Sequence, residues 1–346
     1  MLVFIATSLV PSMSSSASFP AADIPLITVE PGVEPALASL VAQPERFELL
    51  LACARRAYTP IGVRLADDLS RNWASRNQSL YRPAVESIAN AVGRKAAYLL
   101  NHSYEWGCTA GAVPDPELGG PTLLRVLDWP FDGLGSTLVA TRCEAAAGPY
   151  VSLTWPGFVG VLTASAPGRF AAAINQPPLP GTFGRAAGWL QARYRVGRAT
   201  TPPPTHPLRR VFDVAGTFDE AVDMLRDAPI CIPAIFIIAG VEPHQRVVIE
   251  RTEEHAFIAP EPTAANHWAS HPGPKGRPRD KTSLVRRAAM NALIVQQPDW
   301  SLDWLKTPIH NSTTRLVVMA NPASGLLIAQ GWEKSGPATR ILRVEA

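Results

Sequence analysis

The chain has few cysteines, and they follow no pairing pattern. Its 346 residues include four, at Cys53, Cys108, Cys143 and Cys231, with no CxxC motif and no nearby histidine at metal-ligand spacing. This arrangement argues against a zinc site, and if one cysteine is reserved for chemistry the remaining three do not form a complete disulfide framework. We expect no metal ion and no other cofactor.

Long apolar runs and a strong charge of one sign are also absent. No segment approaches the roughly 18 consecutive apolar residues of a membrane-spanning helix. The net charge is +3 and no dense Lys/Arg stripe is present, which argues against a nucleic-acid partner. Residues 1–10 are apolar and residues 11–22 are mostly small, as in a secretory signal, but no positive charge precedes them. Localisation is therefore left open.

Four common catalytic or nucleotide-binding motifs are missing. The sequence contains no G-x-S-x-G, no H-E-x-x-H, no G-x-x-x-x-G-K-[ST] and no G-x-G-x-x-G between a strand and a helix. Their absence removes the simplest serine hydrolase, metalloprotease, P-loop and dinucleotide-binding interpretations.

The hydrophobic pattern divides the chain into three parts. We predict an extended, partly disordered leader over residues 1–40, a helical segment over 44–107 and a strand-rich catalytic domain over 108–346. The 34 prolines are concentrated in loops such as residues 176–180 and 201–205. Apolar spacing predicts helices over 85–99, 186–194, 218–226 and 282–295. Alternation between turn residues predicts strands over 122–127, 136–143, 150–155, 160–164, 169–175, 234–239, 246–250, 314–320 and 326–332.

A small residue and a cysteine lie at the boundary between the helical and strand-rich parts. If the Gly107–Cys108 bond is cut, the thiol of Cys108 gains a free α-amine on the same residue. An α-amine has a pKa of about 7.7–8.0, so it can act as a local base near neutral pH. The alternative is that Cys108 is a small buried apolar residue.

Several further motifs follow in a fixed order. They are Cys108-Thr109, an Arg-x-x-Asp at Arg125 and Asp128, a strand ending at Asn175, an Asn266-His-Trp268 segment, and an arginine-rich helix start at residues 277–283. Over residues 44–332 this order resembles the acid ceramidase and N-acylethanolamine amidase branch of the N-terminal nucleophile hydrolases. Bile-salt hydrolase and penicillin V acylase are more distant members of the same superfamily.

The resemblance implies an α+β fold, a four-layer αββα sandwich with the helical segment retained after self-cleavage. It assigns Cys108 as the nucleophile, Asp128 as the partner of its α-amine, and Arg125 as the group that favours the thiolate and orients substrate. Asn175 and Asn266 are implied as oxyanion donors, and Arg279 fits the family arginine by its spacing from Asn266. Taken without the resemblance, these residues are also consistent with a surface ion pair and turn asparagines.

Two departures from the family pattern are visible. Gln176 stands where this branch often has Glu after the first Asn, which predicts slower or differently triggered self-cleavage. Arg277 and Arg286 lie close enough in sequence to compete with Arg279 for the family position.

The implied reaction is hydrolysis of a linear, non-peptide amide through an acyl-enzyme on Cys108. The expected partner is a small-molecule N-acyl amide with an apolar acyl chain, and peripheral contact with a membrane or lipid is left open. Aromatic residues near the motifs are candidates to line the acyl site: Trp129, Phe131, Trp155, Phe158, Phe170 and Trp268. Three alternatives remain: the same chemistry on penicillin V, conjugated bile acids or N-acyl homoserine lactones, or in acyl transfer; ester hydrolysis; and a degenerate member that binds ligand without catalysis.

Overall fold

In this computed structural model, the described residues are 22–93, 96–103, 107–178, 196–274 and 276–345. The α-helices are α1 (Pro35–Ala42), α2 (Pro44–Ala74), α3 (Arg82–Val92), α4 (Ala97–Asn101), α5 (Thr205–Val214), α6 (Phe218–Asp227) and α7 (Ser283–Gln296). The strands are β1 (Leu26–Thr28), β2 (Gly107–Pro114), β3 (Pro121–Asp128), β4 (Val139–Cys143), β5 (Tyr150–Thr154), β6 (Thr163–Ala166), β7 (Phe170–Asn175), β8 (Ala234–Ala239), β9 (Arg246–Arg251), β10 (Ala256–Ile258), β11 (Thr263–Ala264), β12 (Thr314–Asn321), β13 (Leu326–Glu333), β14 (Gly336–Pro337) and β15 (Leu342–Val344).

The strands form two sheets that face each other. One has the order β1-β4-β5-β6-β7-β8-β9-β10, and the other has the order β11-β2-β3-β12-β13-β14 with β15 also beside β13. Strands β2, β3 and β12 of the second sheet pack against β7 and β8 of the first. Helix α6 covers β8 and β9 on one outer side, and α7 covers β2 and β11 on the other. The predicted α+β fold with an αββα arrangement is confirmed.

Alternation along β3 shows how the sequence builds both cores. Leu123 and Leu127 point into the core between the sheets, whereas Leu124 and Val126 point outward into the core beneath α7. Side chains of a strand alternate between its two faces, so a strand covered on both sides is apolar at nearly every position. Arg125 and Asp128 are therefore exceptions within a fully buried strand.

The predicted helices agree with the structure in two places and depart from it in one. Residues 218–226 and 282–295 correspond to α6 and α7, and the Thr217 side chain caps α6 by accepting from the Glu220 N–H. The helix expected over 85–99 is two helices, because Gly93 adopts a left-handed conformation and ends α3. The helix expected over 186–194 lies outside the described residues.

Over the residues that the structure describes, the N-terminal segment is part of the fold. Residues 22–40 belong to the expected leader, yet β1 pairs in parallel with β4 and α1 packs beside it. Arg46 on α2 donates to the carbonyl oxygens of Ser136 and Leu138. Within the segment expected to be an extended leader, Leu26–Thr28 therefore forms an edge strand of the larger sheet and α1 begins at Pro35. Within the described residues, no helix is long and apolar enough to span a membrane.

Two buried histidines lie where the N-terminal helices meet α5. His102 follows α4 and donates from Nδ1 to the Tyr98 carbonyl, and its ring centre is 6.3 Å from that of His206 on α5. His206 contacts the Ser79 hydroxyl through Nδ1. Burial lowers the pKa of His102 to about 4, and it lowers the pKa of His206 well below the usual value. Both rings are therefore neutral at neutral pH.

We predict that acid destabilises the protein through this contact. A lowered pKa in the folded state means that the unfolded chain binds more protons below about pH 6.5, so stability falls as pH falls. Between pH 7 and pH 5, His102 alone should cost about 2 kcal/mol. Denaturant unfolding at both pH values should show this loss in the wild type and a smaller one in His102→Gln. His255→Gln, at an exposed position, is the control and should behave as wild type. An equal pH dependence in His102→Gln and wild type would contradict the assignment.

Candidate active site

The β2–β3 hairpin sets the position of Cys108. Gly119 and Gly120 both have positive φ in its turn, and Asp115 accepts from the Leu118 N–H. Because the turn fixes the strand register, Gly107 lies opposite Asp128 and Cys108 lies opposite Leu127. A Cβ on Gly107 would approach the Cβ of Asp128 to 3.2 Å, which favours a residue without a side chain there.

The Cys108 side chain points between the two sheets. Its thiol lies 3.7 Å from the carbonyl oxygen of Ile174, which also accepts a hydrogen bond of 3.1 Å from Arg125. The Arg125 guanidinium is fully buried and donates further to Thr163 and to the Asn175 side chain. The thiol and the guanidinium therefore share one acceptor on β7.

The backbone of Cys108 is held from the opposite side. Its N–H donates to Asn266 Oδ1 at 2.8 Å, and its carbonyl oxygen accepts from Arg286 Nη1 at 2.7 Å. Arg286 also donates to Asn266 Oδ1 and forms an ion pair of 3.5 Å with Asp128. Asp128 accepts a hydrogen bond from the Thr314 hydroxyl. The peptide before Cys108 is thus held by the Asn266 amide, and the peptide after it by the Arg286 guanidinium, which Asp128 holds in turn.

The arginine at this site is Arg286 rather than Arg279. Arg286 is 2% exposed on the inner face of α7, and its second carboxylate partner is Asp280 at 2.6 Å. Arg279 contributes its backbone N–H to the Asn266 carbonyl oxygen. The assignment of Arg279 from spacing is corrected, because the helix phase turns position 286 toward Cys108.

The two asparagines have different surroundings. The Asn175 amide donates to the carbonyl oxygens of Ala264 and Ala265, and its oxygen accepts from Arg125. Its amide nitrogen has two carbonyl acceptors, so Asn175 bridges the two sheets in the intact chain. Asn266 directs one N–H to the Gln176 carbonyl oxygen at 2.7 Å while its own oxygen faces Cys108.

Burial governs the ionisation of the thiol and the carboxylate. Burial raises the pKa of the Cys108 thiol, and the Arg125 charge and hydrogen bond act in the opposite direction. Burial also raises the pKa of Asp128, opposed first by Arg286. Cys108 is 0% exposed, so the thiol of the intact chain is closed off from solvent. Desolvation disfavours its anion there.

An apolar cavity of about 60 Å³ lies next to this cluster. For comparison, a cavity needs a volume of about 10–15 Å³ to hold one water molecule. Trp129 and Trp155 line it and meet edge to face at 5.5 Å, and Phe131 lines it beside Tyr58. The rest of its wall comes mainly from the N-terminal helices: Phe47, Leu50, Leu51, Cys53, Ala54, Tyr58, Ala96, Leu99, Leu100, Ser103 and Leu134.

Other aromatic candidates lie elsewhere. Phe158 lines a separate small cavity beneath α1, and Phe170 packs against Phe212 in the core. Trp268 packs near Gly276. These three do not line the cavity beside Trp129, because the register of their strands and loops directs them to other faces.

Several residues of the site escaped the sequence interpretation. Ser283 accepts from the Asn266 N–H, Asp280 pairs with Arg286, and Thr163 holds Arg125. A signal for Arg286 was present, since Ser283, Arg286, Met290 and Leu293 follow helical spacing and form the buried face of α7. An arginine on the apolar face of a helix indicates a buried partner.

Comparisons with known proteins give structural similarities only. No family model and no curated protein sequence matches the chain. A Caenorhabditis elegans orthologue of N-acylethanolamine-hydrolysing acid amidase aligns at a TM-score of 0.47 and 19% identity, over 63% of this chain and 93% of that one. A mutant conjugated bile acid hydrolase from Clostridium perfringens gives 0.44 and 10%, over 69% and 92%. Penicillin V acylase from Agrobacterium tumefaciens gives 0.36 and 12%, over 69% and 86%.

We predict that Arg286 is a major contributor to stability. Removing one member of a buried ion pair leaves an uncompensated charge and costs about 3–5 kcal/mol. Arg286→Gln should lower the free energy of unfolding by that amount in denaturant titrations, and Arg279→Gln, at a partly exposed position, should lower it by clearly less. If Arg286→Gln does not fold, Arg286→Lys should fold with an intermediate loss. Equal losses for the variants at 279 and 286 would contradict the assignment.

Proposed function

We propose that the protein is a self-cleaving cysteine amidohydrolase of the N-terminal nucleophile type, acting on carbon–nitrogen bonds of linear, non-peptide amides. The observation that carries the proposal is the set of polar contacts to the backbone on either side of Cys108. Asn266 accepts from the N–H of the Gly107–Cys108 peptide, Arg286 donates to the Cys108 carbonyl oxygen of the following peptide, and Asp128 lies opposite Gly107 in the strand pairing. A backbone held in this way next to a thiol is an arrangement suited to cleavage of the Gly107–Cys108 bond.

Self-cleavage would use the thiol of Cys108 on its own peptide bond. Sγ adds to the carbonyl carbon of Gly107, the C–N bond breaks, and the thiol proton passes to the leaving nitrogen. Water then hydrolyses the resulting thioester, which gives a carboxylate on Gly107 and restores the thiol. The Arg125 charge favours the thiolate against the effect of burial.

Cleavage would create the catalytic base. The nitrogen that becomes the α-amine of Cys108 lies 2.8 Å from Asn266 Oδ1. Asp128 lies beside Gly107, the residue that precedes it. Its pKa of about 7.7–8.0 suits a base near neutral pH. In turnover the thiolate attacks a substrate amide carbonyl, the amine leaves, and water releases the acyl group. The second N–H of Asn266 is our candidate oxyanion donor, in place of Asn175.

The substrate we propose is an N-acyl amide with an apolar acyl chain. Support comes from the apolar cavity, whose lining includes Trp129, the residue that follows Asp128. Most of its wall belongs to helices α2 and α4, so the N-terminal segment must remain bound after cleavage. The β1–β4 pairing and the Arg46 hydrogen bonds provide that attachment.

We predict cleavage between Gly107 and Cys108. Intact-mass analysis of purified protein, before and after incubation over a range of pH, should yield fragments of 107 and 239 residues, the first shorter if its N-terminus is trimmed. Cys108→Ala should stay uncut, and Cys143→Ala, which alters another buried cysteine, should be cut as wild type is. A wild-type chain that stays intact and still hydrolyses amides would disprove the self-cleavage mechanism.

We also predict that activity rises with acyl-chain length. Burying one methylene stabilises by about 0.8 kcal/mol, so each added carbon should raise kcat/KM about three- to fourfold until the cavity is full. Ala54→Leu narrows the cavity and should move the plateau to shorter chains. Ala52→Leu, on the exposed side of the same helix, is its control.

The chain-length series also tests the class of substrate. A flat series, or a preference for phenoxyacetyl or steroid acyl groups, would contradict the apolar-chain proposal and favour the penicillin or bile-acid alternative. The mechanism at Cys108 would stand in that case, because cleavage is measured separately.

A further inference from the structure

A second, larger cleft lies on the outer side of the N-terminal helices. It has a volume of about 870 Å³ and runs between the C-terminal half of α2 and the helices α3 and α4. Its lining includes Arg55, Arg64 and Arg71 from α2 and Tyr98 from α4. None of these residues has a role in the proposed hydrolysis.

The cleft carries a net positive charge. Of the described residues that line it, Asp67 alone has a carboxylate, against three arginines. Asp67 is 3% exposed and already accepts the Leu99 N–H at 3.0 Å. Arg71 lies with its guanidinium carbon 6.0 Å from the centre of the Tyr98 ring. Guanidinium groups bind carboxylates and phosphates through paired hydrogen bonds, so the cleft fits an anionic group.

An exposed apolar ridge adjoins the arginines. Ile61, Leu65 and Leu69 are spaced by four residues along α2 and are 71%, 51% and 45% exposed. Residues four apart lie on one face of a helix, and Ile61 itself lines the cleft. A ligand whose charged end reaches the arginines can therefore lay an apolar portion along the ridge.

We propose that this cleft binds the anionic head group of an amphiphile, with the apolar chain lying on the Ile61–Leu65–Leu69 ridge. The head group is a carboxylate or a phosphate, supplied either by a free amphiphile or by a lipid in a bilayer. This binding does not depend on the Cys108 chemistry.

The first experiment is calorimetric titration of the full chain with sodium laurate below its micelle concentration. Arg64→Gln should weaken the site by about tenfold, because a charged hydrogen-bond partner is lost. Arg56→Gln is the matched control, since it removes the same charge from an exposed position on the same helix outside the cleft. Dodecyltrimethylammonium, which has the same chain length and the opposite charge, should not bind in an Arg64-dependent manner.

The second experiment separates the two sources of the head group. Sedimentation with phosphatidylcholine vesicles, with and without phosphatidylglycerol, should show binding that needs the anionic lipid and Arg64 if the source is a bilayer. Laurate binding without vesicle binding would support a free amphiphile. Equal laurate affinity in wild type, Arg64→Gln and Arg56→Gln, together with vesicle binding unaffected by Arg64→Gln, would overturn the proposal.

Discussion

The guanidinium of Arg286 lies in the interior of the protein, where an unpaired positive charge would be unstable. It is compensated by Asp128 on β3 and by Asp280 just before α7, and it also bonds the carbonyl oxygen of Cys108 and the side chain of Asn266. Because these partners come from β2, from β3 and from the β11–α7 connection, the charge can be buried only when those three segments and α7 are all in place. The need to compensate this buried charge therefore also aligns the groups around Cys108.

On the side of Cys108 that carries the thiol, the packing of the strands depends on a second buried arginine, Arg125. Arg125 joins β3 to β7 by donating to the Ile174 carbonyl oxygen, and it reaches β6 through Thr163. The charges of both arginines lower the pKa of the thiol, yet burial has the larger effect and raises it. In the self-cleavage that we propose, the same two arginines would favour the thiolate once the backbone opens.

The N-terminal helices are bound to the strand-rich part of the chain by contacts of several kinds. β1 adds backbone hydrogen bonds at the edge of the larger sheet, α2 donates through Arg46, and the His102–His206 contact packs α4 near α5. These contacts do not require the Gly107–Cys108 bond. In the self-cleavage that we propose, they would keep α2 and α4, which wall the apolar cavity, in place after that bond is cut.

Particular elements show how much of the structure could be predicted from the sequence. Strand β8 and helix α6 follow from local pattern and capping, since alternation, helical spacing and the Thr217 cap are properties of adjacent residues. The motif order also gave Cys108, Arg125, Asp128 and Asn266, all of which lie in one buried cluster. Strands β1 and β2 were missed, because β1 is short and β2 is rich in small residues whose strand form depends on pairing with β3.

The sequence by itself determined the α+β composition, the change from mainly helices to mainly strands near Cys108, and most of the residue types at the site. Only the tertiary structure decided that Arg286 rather than Arg279 contacts Cys108, that Asn175 bridges the sheets, and that Trp129 rather than Trp268 faces the apolar cavity. Sequence spacing records distance along the chain, whereas these outcomes depend on helix phase and strand register across elements up to 178 residues apart. Helix phase and strand register are fixed only when the buried charges and side chains contact their partners in the assembled fold.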